Sequence, residues 1–379
     1  MRLIKKASDF LASYKLSCAL FLLLLLLTYL GTMNQVENGL YQSQQKYFES
    51  LFVVHWAFDA VPVPLPGGYL VMALTFANLL WGVVVRFRAR WSKAGITLAH
   101  AGILVMLAGA YVSYAHSING HMILYENEQS DEFESSYEWE IGVAGKVSDG
   151  KATEYIIRQG DFEDLAGDRQ RVFKFAGLPF DLKIWGYAPN AVLDGGEAGG
   201  GVLKERPLER EHEQNMAGAN VAVIEKTDGT ERRSVVWAGA AKATVLEAGG
   251  AEWSLSLRKR RFELPFAVRL DKFTRELHPR TNMPREFTSD ITSIEGGVSR
   301  QVKITMNEPF RHLGYTFYQS SWGPQNSMQN GPFYSVFAVV KNPADQVPLY
   351  ACVITTIGLV LHFLQKLLTY LKKERARTP

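Results

Sequence analysis

Apolar residues are gathered into blocks along this chain. Four stretches are hydrophobic almost without interruption: Leu16 to Leu30, Tyr69 to Val85, Ile96 to Val112 and Val347 to Leu364. With its flanks, each suffices for a helix across a hydrocarbon core of ~30 Å, which takes about 20 residues. Between the third and fourth stretches the period changes. TEYIIRQ, FDLKIWGY, NVAVIEK, RRSVVWAG, AVRLDKF and QVKITMN alternate polar and apolar positions or run through β-branched residues, as half-buried strands do. TDG at Thr227–Gly229 and EGG at Glu295–Gly297 suit hairpin turns. No long helical period interrupts them, and EREHEQNM allows one short turn. The pattern predicts an α-helical membrane anchor of four transmembrane helices plus a large all-β, sandwich-like domain. Residues 1–115 carry the N-terminal tail, three helices and a short loop. Residues 116–345 form the β-rich domain, and residues 346–379 the fourth helix and a basic tail.

A faint repeat runs through the β region. LPFDLKIWGY begins at Leu178 and LPFAVRLDKF at Leu264, and a hairpin pattern follows each after a loop. Two such units stacked face to face would bury their apolar sides as a sandwich. The stretch DGGEAGGG, Asp194–Gly201, reads as a flexible loop, because no Gly-Lys-Ser or helix start follows it.

Overall composition conceals this division. The 379 residues carry a net charge of +3 and a mean hydropathy of −0.06, values that suit a soluble protein. Placement of the charge is more informative. Arg2, Lys5, Lys6 and Lys15 precede or open the first apolar run; Arg86, Arg88, Arg90 and Lys93 follow the second. Lys366, Lys372, Lys373, Arg375 and Arg377 close the chain, whereas the loop after the first run holds only Lys46. By the positive-inside rule both termini and the second loop face the cytoplasm, and the β domain lies on the far side. The basic start of the first run also fits a signal peptide, but TYLGTMNQ is a poor cleavage site, so a retained helix is expected. In the first loop, YFESLFVVHWAFDAVPVPLPGG, which contains His55, reads as a half-buried interfacial helix.

Candidate chemistry is sparse. Cys18 and Cys352 fall within or beside membrane runs, and no Cys-x-x-Cys pair is present. His212, His278 and His312 lack metal-ligand spacing, and Asp161, Glu163 and Asp164 lie in a polar loop. The basic run RKRR, Arg258–Arg261, lacks the interleaved aromatics of a nucleic-acid platform; on the far side of a membrane it fits headgroups or a partner instead. The misfit is His100, inside GITLAHAGILVMLAGA. It lies about six residues from the inner helix end, hence ~9 Å deep. An imidazole in lipid needs a partner, and imidazole is also a ligand of haem iron. Gly95, Ala99, Gly102 and Gly109 form a small-residue stripe suited to close packing on the protein's own helices. His100 stands off that stripe with Ile103, Leu104 and Leu107. Two readings stay open: a ring N–H bonded to a neighbouring helix carbonyl, or an edge offered to haem or a second subunit. His362 lies four residues before Lys366 in the same leaflet, where it snorkels or supplies a second ligand. His116 and His121, in HSINGH, read as interfacial.

Three stretches carry a family likeness: HAGILVMLAGAYVSYAHSINGHMILYENE; LPFAVRLDKFTRELHPRTNMPREFTSD, Leu264–Asp290; and VKITMNEPFRHLGYTFYQSSW, Val302–Trp322. With four helices around one large domain, they resemble the ResB (also CcsB) family of the system II cytochrome c biogenesis machinery. Two turns depart from the family pattern: Pro279-Arg280-Thr281 stands where Pro-Gly-Thr is usual, and Asn342-Pro343-Ala344 where Asp-Pro-Gly is. The resemblance implies a protein of the bacterial cytoplasmic (inner) membrane with a periplasmic β domain. It implies handling of haem b across that membrane and support for its covalent attachment to apocytochrome c, as a subunit of a haem-attachment complex and not an enzyme alone. It implies a haem-ligating transmembrane histidine at His100, with the second axial ligand on the WWD-type ResC/CcsA partner; His362 is the alternative within the chain. No WWD segment occurs, and SSWGPQ does not qualify, so the partner is expected to be a separate protein. A reading from another class is a membrane-anchored β-domain scaffold without haem.

Overall fold

A computed structural model describes residues 2–58, 60–86, 93–145, 153–195, 201–280, 284–324 and 332–377. It divides into two compact units, Met1–Ser117 with Asn342–Pro379, and Ile118–Lys341.

The first unit holds α1 (Arg2–Leu11), α2 (Tyr14–Tyr47), β1 (Phe52–Ala57), β2 (Val61–Pro66), α3 (Gly68–Arg86), α4 (Ala94–His116) and α5 (Val347–Arg375). Among the described residues, four helices, α2 to α5, are long and apolar enough to cross a membrane. The remainder of the basic loop after α3, with Arg88 and Arg90, lies outside the described residues. Asn78 of α3 ties the start of the bundle together. Its amide donates to the carbonyls of Leu11 (2.5 Å) and Ser13 (3.3 Å) and accepts from Ser17 Oγ at 2.7 Å. A buried amide satisfied in this way costs little, whereas an orphaned one costs about 1–3 kcal/mol.

The helix α2 is not straight. Gly39 takes φ 78°, ψ 169°, outside any helical conformation. Beyond it the chain turns back on itself: Ser43 Oγ donates to Asn34 Oδ1 at 2.9 Å, and the Phe48 ring lies over Gly31, where a Cβ would sit 2.8 Å from Cε2. In an unbroken helix Gly31 and Phe48 would be ~25 Å apart.

The expected interfacial helix around His55 is overturned. The segment forms the antiparallel hairpin β1–β2, with Phe52 opposite Pro66 and Ala57 opposite Val61. Alternating prolines at 62, 64 and 66 forbid a helix interior, and their spacing of two suits one side of a strand. His55 accordingly sits on a strand, its Nδ1 2.8 Å from Tyr47 Oη.

The small-residue stripe packs as the sequence analysis expects. Gly95, Ala99, Gly102 and Gly109 are buried, and α4 runs antiparallel against α5. A Cβ on Gly95 would lie 2.8 Å from His362 Cα; on Gly102, 2.8 Å from Thr355 N; on Gly358, 2.8 Å from Ala99 Cα. The two backbones therefore touch between Gly95–Gly102 of α4 and Ala351–His362 of α5, which only small residues permit. At the start of α5 Asn342, where the resemblance leads one to expect aspartate, still closes a turn: its Oδ1 accepts from the Ala344 N–H at 2.8 Å. The other departure is conformational, since Arg280 takes φ 64°, the left-handed region glycine favours; Thr281 lies outside the described residues.

Among its described residues the second unit is all β apart from single 3₁₀ turns, one of them at His212–Gln214 within EREHEQNM. Its strands are β3 (Ile118–Tyr125), β4 (Gln129–Gly145), β5 (Glu154–Arg158), β6 (Gln170–Lys174), β7 (Phe180–Ala188), β8 (Ala191–Asp194), β9 (Val202–Glu205), β10 (Gly218–Glu225), β11 (Glu231–Trp237), β12 (Thr244–Ala248), β13 (Ala251–Leu277), β14 (Pro284–Glu295), β15 (Val298–Thr305), β16 (Phe310–His312), β17 (Tyr315–Gly323) and β18 (Tyr334–Lys341). Among the described residues a large sheet runs β15-β14-β13-β4-β3-β18-β17-β16, with β12 added on β13 and β5 on β4; a smaller sheet runs β11-β10-β7-β6. The glycine-rich stretch joins β8 to β9, which pair as a hairpin; its residues 196–200 lie outside the described ones.

The faint repeat has a topological counterpart. Leu178 lies just before β7 and Leu264 within β13, and each of these strands pairs with a later hairpin, giving the meanders β7-β10-β11 and β13-β14-β15. The meanders do not stack on each other as the repeat implied. The first builds a core from Phe180, Leu182, Ile184, Val221 and Val223 against Ile141, Val143, Leu255 and Leu257 of the long strands β4 and β13. The second builds a separate core from Val268, Leu270, Ile291 and Ile304 against Leu124, Phe317, Phe337 and Val339. The long strands β4 and β13 contribute to both cores: one stretch of each covers the first meander, while Phe133 of β4 and Val268 and Leu270 of β13 belong to the second, whose cover comes from β3, β17 and β18.

Candidate functional site: a histidine edge on a membrane helix

His100 is half-buried on α4, one position past buried Ala99 and off the packed stripe. Its Nδ1 lies 2.7 Å from the Ile96 carbonyl oxygen, one turn back in its own helix. That carbonyl has no proton to give, so Nδ1–H donates, and in the neutral ring Nε2 carries the lone pair. The ring N–H thus bonds its own helix and not a neighbouring one. No hydrogen bond to Nε2 occurs among the described residues. On the same side of α4, Ile103 is exposed and Leu104 and Leu107 are half-buried. A metal-ligating histidine usually donates its other ring N–H to a carboxylate or a backbone carbonyl, as His100 Nδ1–H does to Ile96. The residues present therefore fit one axial bond to a haem.

His362 stands differently. Its backbone abuts Gly95, its ring lies edge-on to Phe363 with centroids 5.8 Å apart, and its buried Nδ1 has no hydrogen-bond partner among the described residues. The pairing of Gly95 with His362 and of Ala99 with Gly358 places His100 level with Ile357. His362 is five residues further along α5, about 7.5 Å of axial rise.

The remaining histidines do other things. His116 ends α4 exposed. His121 of β3 meets Ser136 Oγ at 3.0 Å. His312 bonds Glu295 Oε2 at 2.8 Å and packs against Phe266 and Phe310. His212 lies against the Tyr137 ring, and burial together with the charge of Lys259 lowers its pKa. His278 is exposed.

The basic run is not free for headgroups or a partner, which corrects the expectation. It lies on β13 opposite an acidic stretch of β4. Arg258 bridges Glu140 (3.0 Å) and Glu154 (2.7 Å), Arg260 bonds Glu138 (2.5 Å), and Arg261 approaches Glu132 and Glu134. Lys259 crosses the Trp139 ring at 3.8 Å, and burial pushes its ammonium down to about 8. One-dimensional reading missed this ladder because its acids lie far away in sequence. The signal was present as the alternating glutamates of DEFESSYEWE, at the spacing of one strand face.

Comparison with known proteins gives two matches. Residues 221–333 match the model of the ResB-like family, a segment running from β10 to the residue before β18. It contains two of the three stretches that carry the likeness, and neither His100 nor His362. Over 89 residues the chain is 33% identical to a protein named Cytochrome c biogenesis protein CcsB from Picosynechococcus sp., covering 22% of this chain and 18% of that one. The chain thus spans under a fifth of the length of the curated relative it matches.

Proposed function

We propose, starting from the chain's membership of the ResB-like family, that it serves cytochrome c biogenesis by holding haem at a membrane helix for attachment to apocytochrome c. The observation that carries the biogenesis role is the ResB-like segment at residues 221–333. The geometry of His100 supports the haem part: its ring is oriented by Ile96 and its Nε2 is left for iron. Bound there, haem b would supply the vinyl groups to which the client's cysteine thiols add. His100 would fix the porphyrin's position, and Ile103, Leu104 and Leu107 would keep water from its face. The second axial ligand would come from a WWD-type partner of the ResC/CcsA kind, with His362 the alternative within the chain. In this reading both termini are cytoplasmic and the β domain is periplasmic. That domain would hold the extended client by strand addition; β6 ends the smaller sheet with a free outer edge among the described residues.

The test is the reduced haem spectrum of the purified protein, with and without the partner, before and after His100→Ala. Haem is expected to copurify, to fall at least tenfold in occupancy in the variant, and to return on addition of imidazole. Unchanged occupancy would refute the ligand assignment. Absence of haem from every preparation would favour the non-haem scaffold, a reading supported by the fact that the His100 N–H is already satisfied within its own helix. His362→Ala in parallel tests the intrachain pair.

A further inference from the structure

The hairpin β1–β2 carries an apolar face that nothing among the described residues of its unit covers. Its inner face joins the cluster of Leu27, Tyr47 and Val71 through Val53 and Leu65. The outer face presents Phe52, Val54 and Trp56 with Pro62 and Pro64 opposite, and Phe58 at the turn is 98% exposed.

Three observations say what meets this face. First, the hairpin springs from the end of the apolar runs. Phe48 lies over Gly31, close to the last residues of the α2 run, and a Cβ on Gly68, the first residue of α3, would lie 2.6 Å from Phe48 Cα. The fold-back at Gly39 thus returns the chain to the rim of the hydrocarbon before β1 begins. Second, the outer face has no charged side chain. Asp59, the segment's one carboxylate, lies outside the described residues, and its charge limits any insertion to the headgroup layer. Third, the outer edge of β2 is stripped of donors. The Gly67 N–H donates to the Leu51 carbonyl at 2.8 Å. Counting from that bonded pair, residues 62, 64 and 66 fall in non-bonded pairs, whose N–H groups would point away from β1. All three are proline and have none. A strand-adding partner would find half its ladder missing there, while a poorly hydrated interface gains by having no orphaned donors on that edge.

We infer that β1–β2 is a membrane anchor lying in the interfacial layer of the bilayer, its Phe52–Val54–Trp56 face and Phe58 against lipid. Tryptophan and phenylalanine on an uncharged face are what that layer retains.

The test uses the full chain with Cys18→Ser and Cys352→Ser, reconstituted into phosphatidylethanolamine and phosphatidylglycerol vesicles. Spin labels are placed through Trp56→Cys or Phe58→Cys, substitutions at exposed positions that leave the core intact. Collision rates are measured with oxygen, which concentrates in lipid, and with a water-soluble nickel chelate. Ile103→Cys on α4 and Lys272→Cys in the β unit calibrate lipid and water. At 56 and 58 oxygen collisions are expected to exceed nickel collisions, as at 103 and in the reverse order to 272. A pattern like that of 272 would overturn the inference, and so would exclusion of both reagents, which would mean a second copy covers the hairpin. A water-like pattern at 103 itself would overturn the membrane-spanning reading of the bundle, and the anchor with it.

Discussion

Replacing Gly358 by alanine tests the closeness of α4 and α5 directly. The added methyl would lie 2.8 Å from Ala99 Cα and 2.8 Å from the Gly95 carbonyl oxygen, and closer still to Ala99 N. Ordinary contacts begin near 3.4 Å, so the helices must part by more than half an ångström. Every obstructing atom is backbone, so no side chain can swing aside. Overpacking of this kind costs about 1–3 kcal/mol, and the small gain of alanine over glycine in helix propensity, up to about 1 kcal/mol, offsets only part of it. Gly82 of α3 is the matched control: a Cβ there meets nothing within 4 Å, so Gly82→Ala should be neutral or slightly stabilising. The assay is reversible unfolding of both variants in one detergent, followed by tryptophan fluorescence. A net loss of about 1–2 kcal/mol for Gly358→Ala, against no loss for Gly82→Ala, is expected. Equal stability of the two would refute backbone contact between α4 and α5.

Two further predictions concern the cross-strand ladder. Arg258→Met leaves Glu140, 2% exposed, without its partner; breaking a buried pair costs about 3–5 kcal/mol. The loss is read by urea unfolding and should be largely recovered when Glu140→Gln is added to the variant; an equal loss in the double variant would contradict the assignment. Lys259, with its pKa lowered to about 8 from 10.5, has already given up its proton in the native protein at pH values where the unfolded chain still holds one. Stability should therefore rise with pH through this group between about 8 and 10.5, and Lys259→Gln should remove that rise. A lysine NMR titration with its midpoint near 10.5 would refute the burial argument.

Local pattern and tertiary contact contributed unequally at different places. The four apolar runs, the strands at 154–158, 180–188, 218–225 and 231–237, and the hairpin turns were legible because each depends on a period or a turn within a few residues. The small stripe of α4 was legible for the same reason, since helical geometry alone puts its residues on one side. His55 was misplaced because the aromatic content of its segment outweighed the proline spacing, which carried the strand signal. RKRR looked like a binding patch because its counter-charges are more than a hundred residues away in sequence.

By itself, the sequence settled which residues cross from water to apolar surroundings, that the intervening domain is β, and that His100 is a polar group in a run with no place for one. Periodicity and the cost of burying a polar group suffice for those statements. Tertiary structure decided the rest: that α2 doubles back at Gly39, that β4 and β13 serve two cores, and that the basic run faces an acidic strand. It also decided which nitrogen of His100 is engaged, because that rests on a 2.7 Å contact with Ile96. These depend on distances between residues remote in sequence or on the rotamer of a single ring, and no pattern of residue types along the chain contains either.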